Sequence, residues 1–257
     1  MSRIAIIYRA LLLSCLAILV SGPASPNFAV FQQPHSAAND PVIVIGFVGG
    51  FVRHDDPVHS GVQLAARIRH DYPSGVYTQV FENRHGEQAY EQVLKLLDSN
   101  RDGTLSDREK QNARIIIYGI SWGGSQTVEL ARELGRQNIP VLLTIQVDSI
   151  AKEGQNDKLI PANVQEAVNF YQPDGIFHGE PEIQAENPSR TRILGNYRFE
   201  YRSKTLDCEN YPWYDRMFTK QHTEIECDPA VWGRVEALIR SKLPPIKEEA
   251  AAPQQNH

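Results

Sequence analysis

Three short stretches of the sequence are rich in apolar residues without alternation, and helical patterns separate them. The stretches are PVIVIGFVGG from residue 41, ARIIIYGIS from residue 113 and IPVLLTIQVDSI from residue 139. A strand with one solvated face alternates apolar and polar residues, whereas a strand buried on both faces is apolar throughout. Amphipathic segments such as GEQAYEQVLKLLD lie between the stretches and have helical periodicity. The pattern therefore predicts an α/β fold, with a mostly parallel central sheet and helices on both faces.

The second half of the domain is less regular. VQEAVNFYQ is compatible with a helix leading into a strand, and RTRILGNYRFEYRS with a strand pair around Gly195–Asn196. DPAVWGRVEALIRSKL predicts a final helix, with Asp228 as its N-cap and Pro229 at its first position.

The first 24 residues have the composition of a secretory signal peptide. Arg3 and Arg9 precede the apolar run LLLSCLAILV, and small residues follow in SGPAS. The apolar run, residues 11–20, is shorter than the ~20 residues that a membrane-spanning helix needs. Cleavage after Ala24 is therefore favoured over an uncleaved anchor. We expect an exported protein, periplasmic or extracellular, without a stable membrane span after cleavage. Residues 25–40 would be a flexible lead-in, 41–246 the folded domain and 247–257 a disordered tail.

The charge and the cysteine content limit which binding partners and which cellular compartment are expected. The chain has 26 basic and 31 acidic residues, a formal net charge of −5, which argues against nucleic acid as a partner. Beyond the leader, the cysteines are Cys208 and Cys227. In an oxidising compartment such an even pair predicts a disulfide, with two unrelated thiols as the alternative.

The segment GISWG, residues 119–123, matches the pattern G-x-S-x-G between a predicted strand and a predicted helix. A serine on such a sharp turn leaves little room for side chains two positions away, and glycine relieves that crowding. The helix N-terminus and the Trp122 amide would stabilise a developing oxyanion. We interpret Ser121 as a nucleophile, and a structural serine in a tight turn is the alternative.

Together with IGFVGGF after the first strong strand, GISWG resembles the α/β-hydrolase superfamily, especially its esterase and lipase-like branch, over residues 40–243. The resemblance implies a second oxyanion donor on the loop after that strand. The Phe47 amide matches this position, and the Val48 amide is an alternative. It also implies the chain order serine, acid, histidine for a catalytic triad.

Within this resemblance, the base and the acid lie late in the chain. The histidines after the serine are His178, His222 and His257, and His222 lies just before the final helix, where the family places its histidine. Asp148 ends the strand that follows the nucleophile helix, and side chains of active sites gather at the carboxyl ends of such strands. The family's acid often lies one strand later, so Asp174 is the alternative. We expect Asp148 to orient His222 and His222 to take the serine proton.

The stretch DSNRDGTLSDRE, residues 98–109, meets the pattern D-x-[DN]-x-[DN]-G-x₅-E and resembles an EF-hand loop. It occupies a helix-to-strand connection, which the family resemblance places at the sheet end opposite the active site. We therefore expect a structural calcium ion that takes no part in the chemistry. Its ligands would be Asp98, Asn100, Asp102, Thr104, Ser106 and Glu109.

These features predict an exported serine hydrolase that cleaves a small-molecule or lipid-like carboxylic ester through an acyl-enzyme and carries a structural calcium site. A thioester or amide substrate is the alternative among enzymes. A calcium-stabilised binding protein without catalysis is the alternative outside them, because a fold does not guarantee activity.

Overall fold

The computed structural model describes residues 41–203 and 206–246. The predicted leader, lead-in and tail lie outside these residues. The helices and strands, in chain order, are β1 (Val42–Val48), α1 (Ser60–Asp71), β2 (Val76–Glu82), α2 (Gly86–Leu97), α3 (Asp107–Gln111), β3 (Ile115–Ile120), α4 (Trp122–Arg136), β4 (Val141–Val147), β5 (Leu159–Ile160), β6 (Val164–Tyr171), β7 (Gln184–Ala185), β8 (Arg192–Arg198), α5 (Trp213–Phe218), α6 (Lys220–Cys227) and α7 (Pro229–Arg240).

Six strands form one sheet in the order β2-β1-β3-β4-β6-β8, and every neighbouring pair is parallel. The three apolar stretches of the sequence are β1, β3 and β4, which lie side by side within it. The predicted fold class is therefore confirmed. Because all six strands run the same way, their carboxyl ends meet at one edge of the sheet, where ligand sites form in open α/β folds.

Each central strand contributes to two cores because its side chains alternate between the faces. In β3, Ile116 and Tyr118 pack on one face with residues of α1 and α7. Ile115 and Ile117 pack on the other face with residues of α2 and α4. Helices thus cover both faces, which explains why β3 carries no solvated polar position.

Two predictions for the second half of the domain are wrong. Residues 164–171 are strand throughout, without a preceding helical part, and pair with β4 on one side and β8 on the other. RTRILGNYRFEYRS contains one strand, β8 (Arg192–Arg198), and not a pair. Gly195, at φ 155°, pairs with Val168 where the register between β6 and β8 shifts. The glycine therefore accommodates an irregularity in one strand and does not turn the chain.

The final helix begins as predicted. The Asp228 carboxylate accepts a hydrogen bond from the Ala230 amide, and Pro229 lies in the first turn of α7. Among the helices of the described ranges, none is both long and apolar enough to cross a bilayer.

Candidate active site

Ser121 lies on the sharp turn between β3 and α4. Its backbone has φ 56° and ψ −127°, a conformation that residues other than glycine rarely adopt. Its amide donates to the Val147 carbonyl at 3.0 Å, which ties the turn to the end of β4. Such strain persists only where the surrounding structure enforces it, and it is concentrated at functional sites.

The two glycines of GISWG make this turn possible. A β-carbon at Gly119 would lie 2.2 Å from the Gly123 carbonyl oxygen. A β-carbon at Gly123 would lie 2.4 Å from the Phe47 carbonyl oxygen, in the neighbouring strand β1. Both distances are far inside van der Waals contact, so no larger residue fits at either position without a shift of the backbone.

Asp148 follows β4 directly, is fully buried and has φ 42°. Its Oδ2 atom is 2.6 Å from Nδ1 of His222 and accepts a hydrogen bond from Gln172 Nε2 at 2.9 Å. Its Oδ1 atom accepts from the amides of Gly179 at 2.7 Å and Gln172 at 3.2 Å. The carboxylate is thus satisfied by neutral donors in addition to the imidazole, which holds it in one orientation.

His222 lies on α6 with 13% of its side chain exposed. Burial alone would lower the pKa of His222, but the hydrogen bond to Asp148 and its charge, with weaker contributions from Glu226 and Asp215, raise the pKa above the ordinary 6.5. Since Nδ1 faces Asp148, Nε2 remains to exchange a proton with another group. This arrangement suits a general base whose charged form is stabilised by a carboxylate.

The alternatives for acid and base lie elsewhere. Asp174 accepts a hydrogen bond from the Tyr201 amide at 3.0 Å and pairs with Arg202 at 2.7 Å. His178 has its Nδ1 atom 3.4 Å from the neighbouring Gly179 carbonyl oxygen. His257 lies outside the described residues. Of the candidates, the structure brings together Asp148 and His222.

A cavity of about 580 Å³ opens at the carboxyl edge of the sheet. Ser121 and His222 both line it, so a bound molecule could touch both. The rest of its lining combines glycines, aromatic rings and titratable groups, among them Gly49, Gly50, Phe51, Trp122, Phe177, Tyr214, Asp56, His59, Asp215 and Glu226.

The segment after β1 forms one wall of this cavity. Phe47 lies within β1, paired with Phe81 on one side and Gly119 on the other. Gly49 is the first residue beyond the strand, and a β-carbon there would lie 2.8 Å from Ser121 Cβ. The backbone after Val48 therefore lies directly against Ser121. It is closer to the cavity than Phe47, the strand residue whose amide is the predicted second oxyanion donor. Trp122 begins α4 as predicted, and its amide belongs to the first helical turn, which has no acceptor within the helix.

Cys208 and Cys227 form the predicted disulfide, with Cα atoms 5.9 Å apart and a sequence separation of 19. The bond joins the segment before α5 to the last residue of α6. His222 lies inside the closed loop. Closure of a loop of this size contributes about 3 kcal/mol to stability in the chain-entropy model.

The EF-hand-like stretch begins directly after α2 and runs into the first turn of α3, on the exposed connection that leads into β3. Asp98 accepts hydrogen bonds from the amides of Asp102 at 3.2 Å and Gly103 at 2.9 Å, and Asp102 accepts from Thr104. Leu105 packs on the core beneath α2 and α4. Within the described part of the chain, no three His, Cys, Asp or Glu side chains converge as a metal site. Calcium binding through mixed carboxylate, amide and carbonyl oxygens stays a prediction.

Four residues near the candidate triad escape the sequence analysis: Gln172 and Gly179, which bind Asp148, and the pair formed by His59 and Glu226, which also lines the cavity. Glu226 follows His222 by four residues, a spacing that places both on one face of a helix. That signal is readable only once residues 220–227 are assigned to a helix.

Comparisons with known proteins give distant likenesses. No family model matches the chain, and no curated protein matches it. Among solved structures, a cutinase-like protein from Cryptococcus sp. is similar at 13% identity and a TM-score of 0.41, over 80% of this chain and 97% of that one. RedJ is similar at 10% identity and 0.39, over 80% and 95%. A dienelactone hydrolase-like promiscuous phosphotriesterase from metagenomic libraries is similar at 15% identity and 0.36, over 82% and 90%.

Proposed function

We propose that this chain is a serine hydrolase that cleaves a carboxylic ester through an acyl-enzyme. One observation carries the proposal: a serine in a strained turn shares a cavity with a histidine whose far ring nitrogen is held by a buried carboxylate. A tight structural turn would need the glycines, but it would need neither the histidine nor the carboxylate.

In the proposed mechanism, Ser121 Oγ attacks the ester carbonyl carbon while His222 Nε2 takes its proton. Asp148 keeps the Nδ1 proton of His222 in place and stabilises the imidazolium that forms. His222 then gives the proton to the departing alcohol, and water hydrolyses the acyl-serine by the same steps in reverse.

The oxyanion that forms during attack would be bound by backbone amides. The Trp122 amide at the start of α4 is one proposed donor, helped by the helix N-terminus. The other would come from the segment that begins with Phe47 and continues through Gly49 and Gly50 along the wall beside Ser121. Each such donor contributes about 3 kcal/mol of transition-state stabilisation in enzymes of this kind.

The cavity supports a small-molecule ester as substrate. Its volume of about 580 Å³ lies within the range of ligand pockets, about 300–1,000 Å³. Phe51 and Trp122 meet edge to face at 5.7 Å on its lining, and Tyr214 adds a third ring. These rings would contact the apolar acyl or alcohol part of the substrate.

Export and calcium binding belong to the same proposal. The disulfide is compatible with an oxidising compartment. Calcium at 98–109 would neutralise clustered carboxylates and brace the connection into β3. Because β3 is six residues long, this loop and Ser121 would be separated by about 20 Å at 3.3 Å a residue, which suits a stabilising ion.

Labelling with a fluorophosphonate tests the function. The wild-type protein should react, and Ser121→Ala should not, because the reagent needs an activated serine. Ser189→Ala is the matched control: the hydroxyl of this exposed serine donates to Asn187 in its own turn, and Ser189 does not line the cavity, so the variant should react like wild type. A wild-type protein that neither reacts nor cleaves a short p-nitrophenyl ester is not a serine hydrolase.

A further inference from the structure

A second pair of a histidine and a carboxylate lines the cavity of Ser121. His59 precedes α1 and is buried, with 5% of the residue exposed. Its Nδ1 atom lies 2.5 Å from Oε1 of Glu226, and its Nε2 atom 3.9 Å from Oδ2 of Asp56. The ring meets Tyr211 edge to face at 5.2 Å. A histidine that is held on so many sides has a fixed orientation.

Glu226 connects this pair to the proposed base. It lies one turn after His222 on α6, and both side chains line the cavity. Only 13% of the Glu226 side chain is exposed. The helix that carries His222 is therefore anchored at two side chains: by Asp148, at the end of β4, and by His59, on the segment between β1 and α1.

The charges around His222 come from several elements. Asp148 faces it from the end of β4, Glu226 from the next turn of α6 and Asp215 from α5. His59 and Asp56 lie on the segment before α1. Arg53 also lines the cavity, but its guanidinium pairs with Asp55 at 2.9 Å. The acid groups thus outnumber the cations that can balance them inside the cavity.

We propose that His59 and Glu226 are positioning residues for His222: their ion pair holds α6 against the segment after β1, and the cation of His59 offsets the negative charge that Glu226 presents to His222. The inference rests on the proposed hydrolase function. The two groups act through His222 and touch no reacting atom.

The protonation state of His59 supports this role. Burial lowers the pKa of His59, but the hydrogen bond and the charge of Glu226, with Asp56 and Asp215, raise it overall above 6.5. The same Glu226 charge contributes to the raised pKa of His222. Loss of His59 would leave Glu226 as a largely buried, unpaired carboxylate. Such a charge lowers the stability of the fold, and its effect on the pKa of His222 would no longer be offset.

The pH dependence of kcat/KM for p-nitrophenyl butyrate tests the proposal, because its acid limb reports the pKa of the free base. His59→Gln should move the acid limb up by about half a pH unit or more, since the Glu226 charge is no longer offset. Glu226→Gln should move it down by a similar amount, since a raising charge is removed. The double variant should resemble Glu226→Gln, because buried His59 loses the partner that keeps it protonated once Glu226 is neutralised.

Glu236→Gln is the matched control, since Glu236 on α7 also forms an ion pair between two elements, with Arg67 of α1 at 2.7 Å, but it is not part of the cavity lining. It should leave the acid limb in place. Acid limbs that stay unchanged in His59→Gln and Glu226→Gln, or that move in the same direction, would overturn the proposal. Should His59→Gln fail to fold, Glu226→Gln alone decides, and an unmoved limb refutes the role.

Fluorophosphonate labelling of Ser121 separates this inference from the function on which it rests. If the wild-type protein is labelled but the acid limbs of the variants coincide with that of wild type, only the role of His59 and Glu226 is refuted. Wild-type protein that does not label refutes the hydrolase itself.

Discussion

Nδ1 of His222 lies 2.6 Å from Oδ2 of Asp148, a carboxylate without exposed surface. The two residues are 74 positions apart in the chain. Asp148 directly follows β4, and β4 is adjacent to β3, the strand that leads to Ser121. The contact fixes which imidazole nitrogen can face the cavity. The catalytic proposal depends on this relationship.

Asp148→Asn should lower kcat by about 10³-fold or more, because an amide that donates towards Nδ1 favours the wrong tautomer of His222. Ester hydrolysis by the purified variant measures the effect. Asp174→Asn is the control: Asp174 bonds the Tyr201 amide and Arg202, so this change should lower the melting temperature and leave kcat nearly intact. A large loss of kcat in Asp174→Asn alone would transfer the role of the acid to that residue.

The value of kcat/KM should fall as the pH is lowered, with a midpoint above pH 6.5. The base must be neutral to accept a proton, and the pKa of His222 is raised, so activity is present above that pKa and lost as the pH falls through it. A profile of kcat/KM against pH gives the midpoint directly. A midpoint at or below 6.5 would contradict the electrostatic environment described for His222.

Replacement of Cys208 and Cys227 by serine should lower stability by about 3 kcal/mol, and at ~2–4 °C for each kcal/mol the melting temperature should fall by roughly 6–12 °C. The closed loop holds His222, so kcat should also fall. Calorimetry with and without reductant gives the comparison. The serine variant is its own control, because reductant should not change it; wild-type protein that is equally indifferent to reduction would refute a stabilising disulfide.

Calcium at tenfold excess over its Kd should stabilise the protein by about 1.4 kcal/mol, seen as a rise in melting temperature. Hydrogen bonds from Ser106 and Ser99 lower the pKa of Glu109 to about 2, so this carboxylate is ionised at neutral pH. Asp98→Ala combined with Glu109→Ala should abolish the rise.

Asp107→Asn removes a charge from the same connection at a position outside the ligand pattern and should retain the calcium response. A wild-type melting temperature that is independent of calcium would end the calcium hypothesis without affecting the proposal for Ser121.

Gly123→Ala should destabilise the protein by about 3 kcal/mol or more, because overpacking at a well-packed site costs about 1–3 kcal/mol and here the new β-carbon meets a backbone oxygen at 2.4 Å. Gly233→Ala, in the exposed part of α7, meets nothing within 4 Å and should gain about 1 kcal/mol through helix propensity. Thermal unfolding of both variants makes the comparison. Equal stabilities would mean that the turn at Ser121 is not as tight as described.

Several features could be predicted from short stretches because their causes are local. The glycines at 119 and 123 indicate the sharp turn, and continuous apolar runs indicate buried parallel strands. Asp228 and Pro229 indicate the start of α7. The strand pair at Gly195 is wrong because a glycine signals backbone freedom and does not say whether that freedom is used for a turn or for a register shift opposite Val168.

The order of residues is thus sufficient to predict the parallel sheet, the position of Ser121 and a few candidates for the acid and the base. Periodicity and backbone sterics act between neighbours along the chain, so short stretches carry these signals. The order of residues favours Asp148 over Asp174 but cannot establish the contact with His222, nor reveal that His59 meets Glu226 across 167 positions. Those contacts are decided by the packing of α6 against the ends of the strands. Such packing depends on how distant surfaces fit together, and no local pattern encodes that fit.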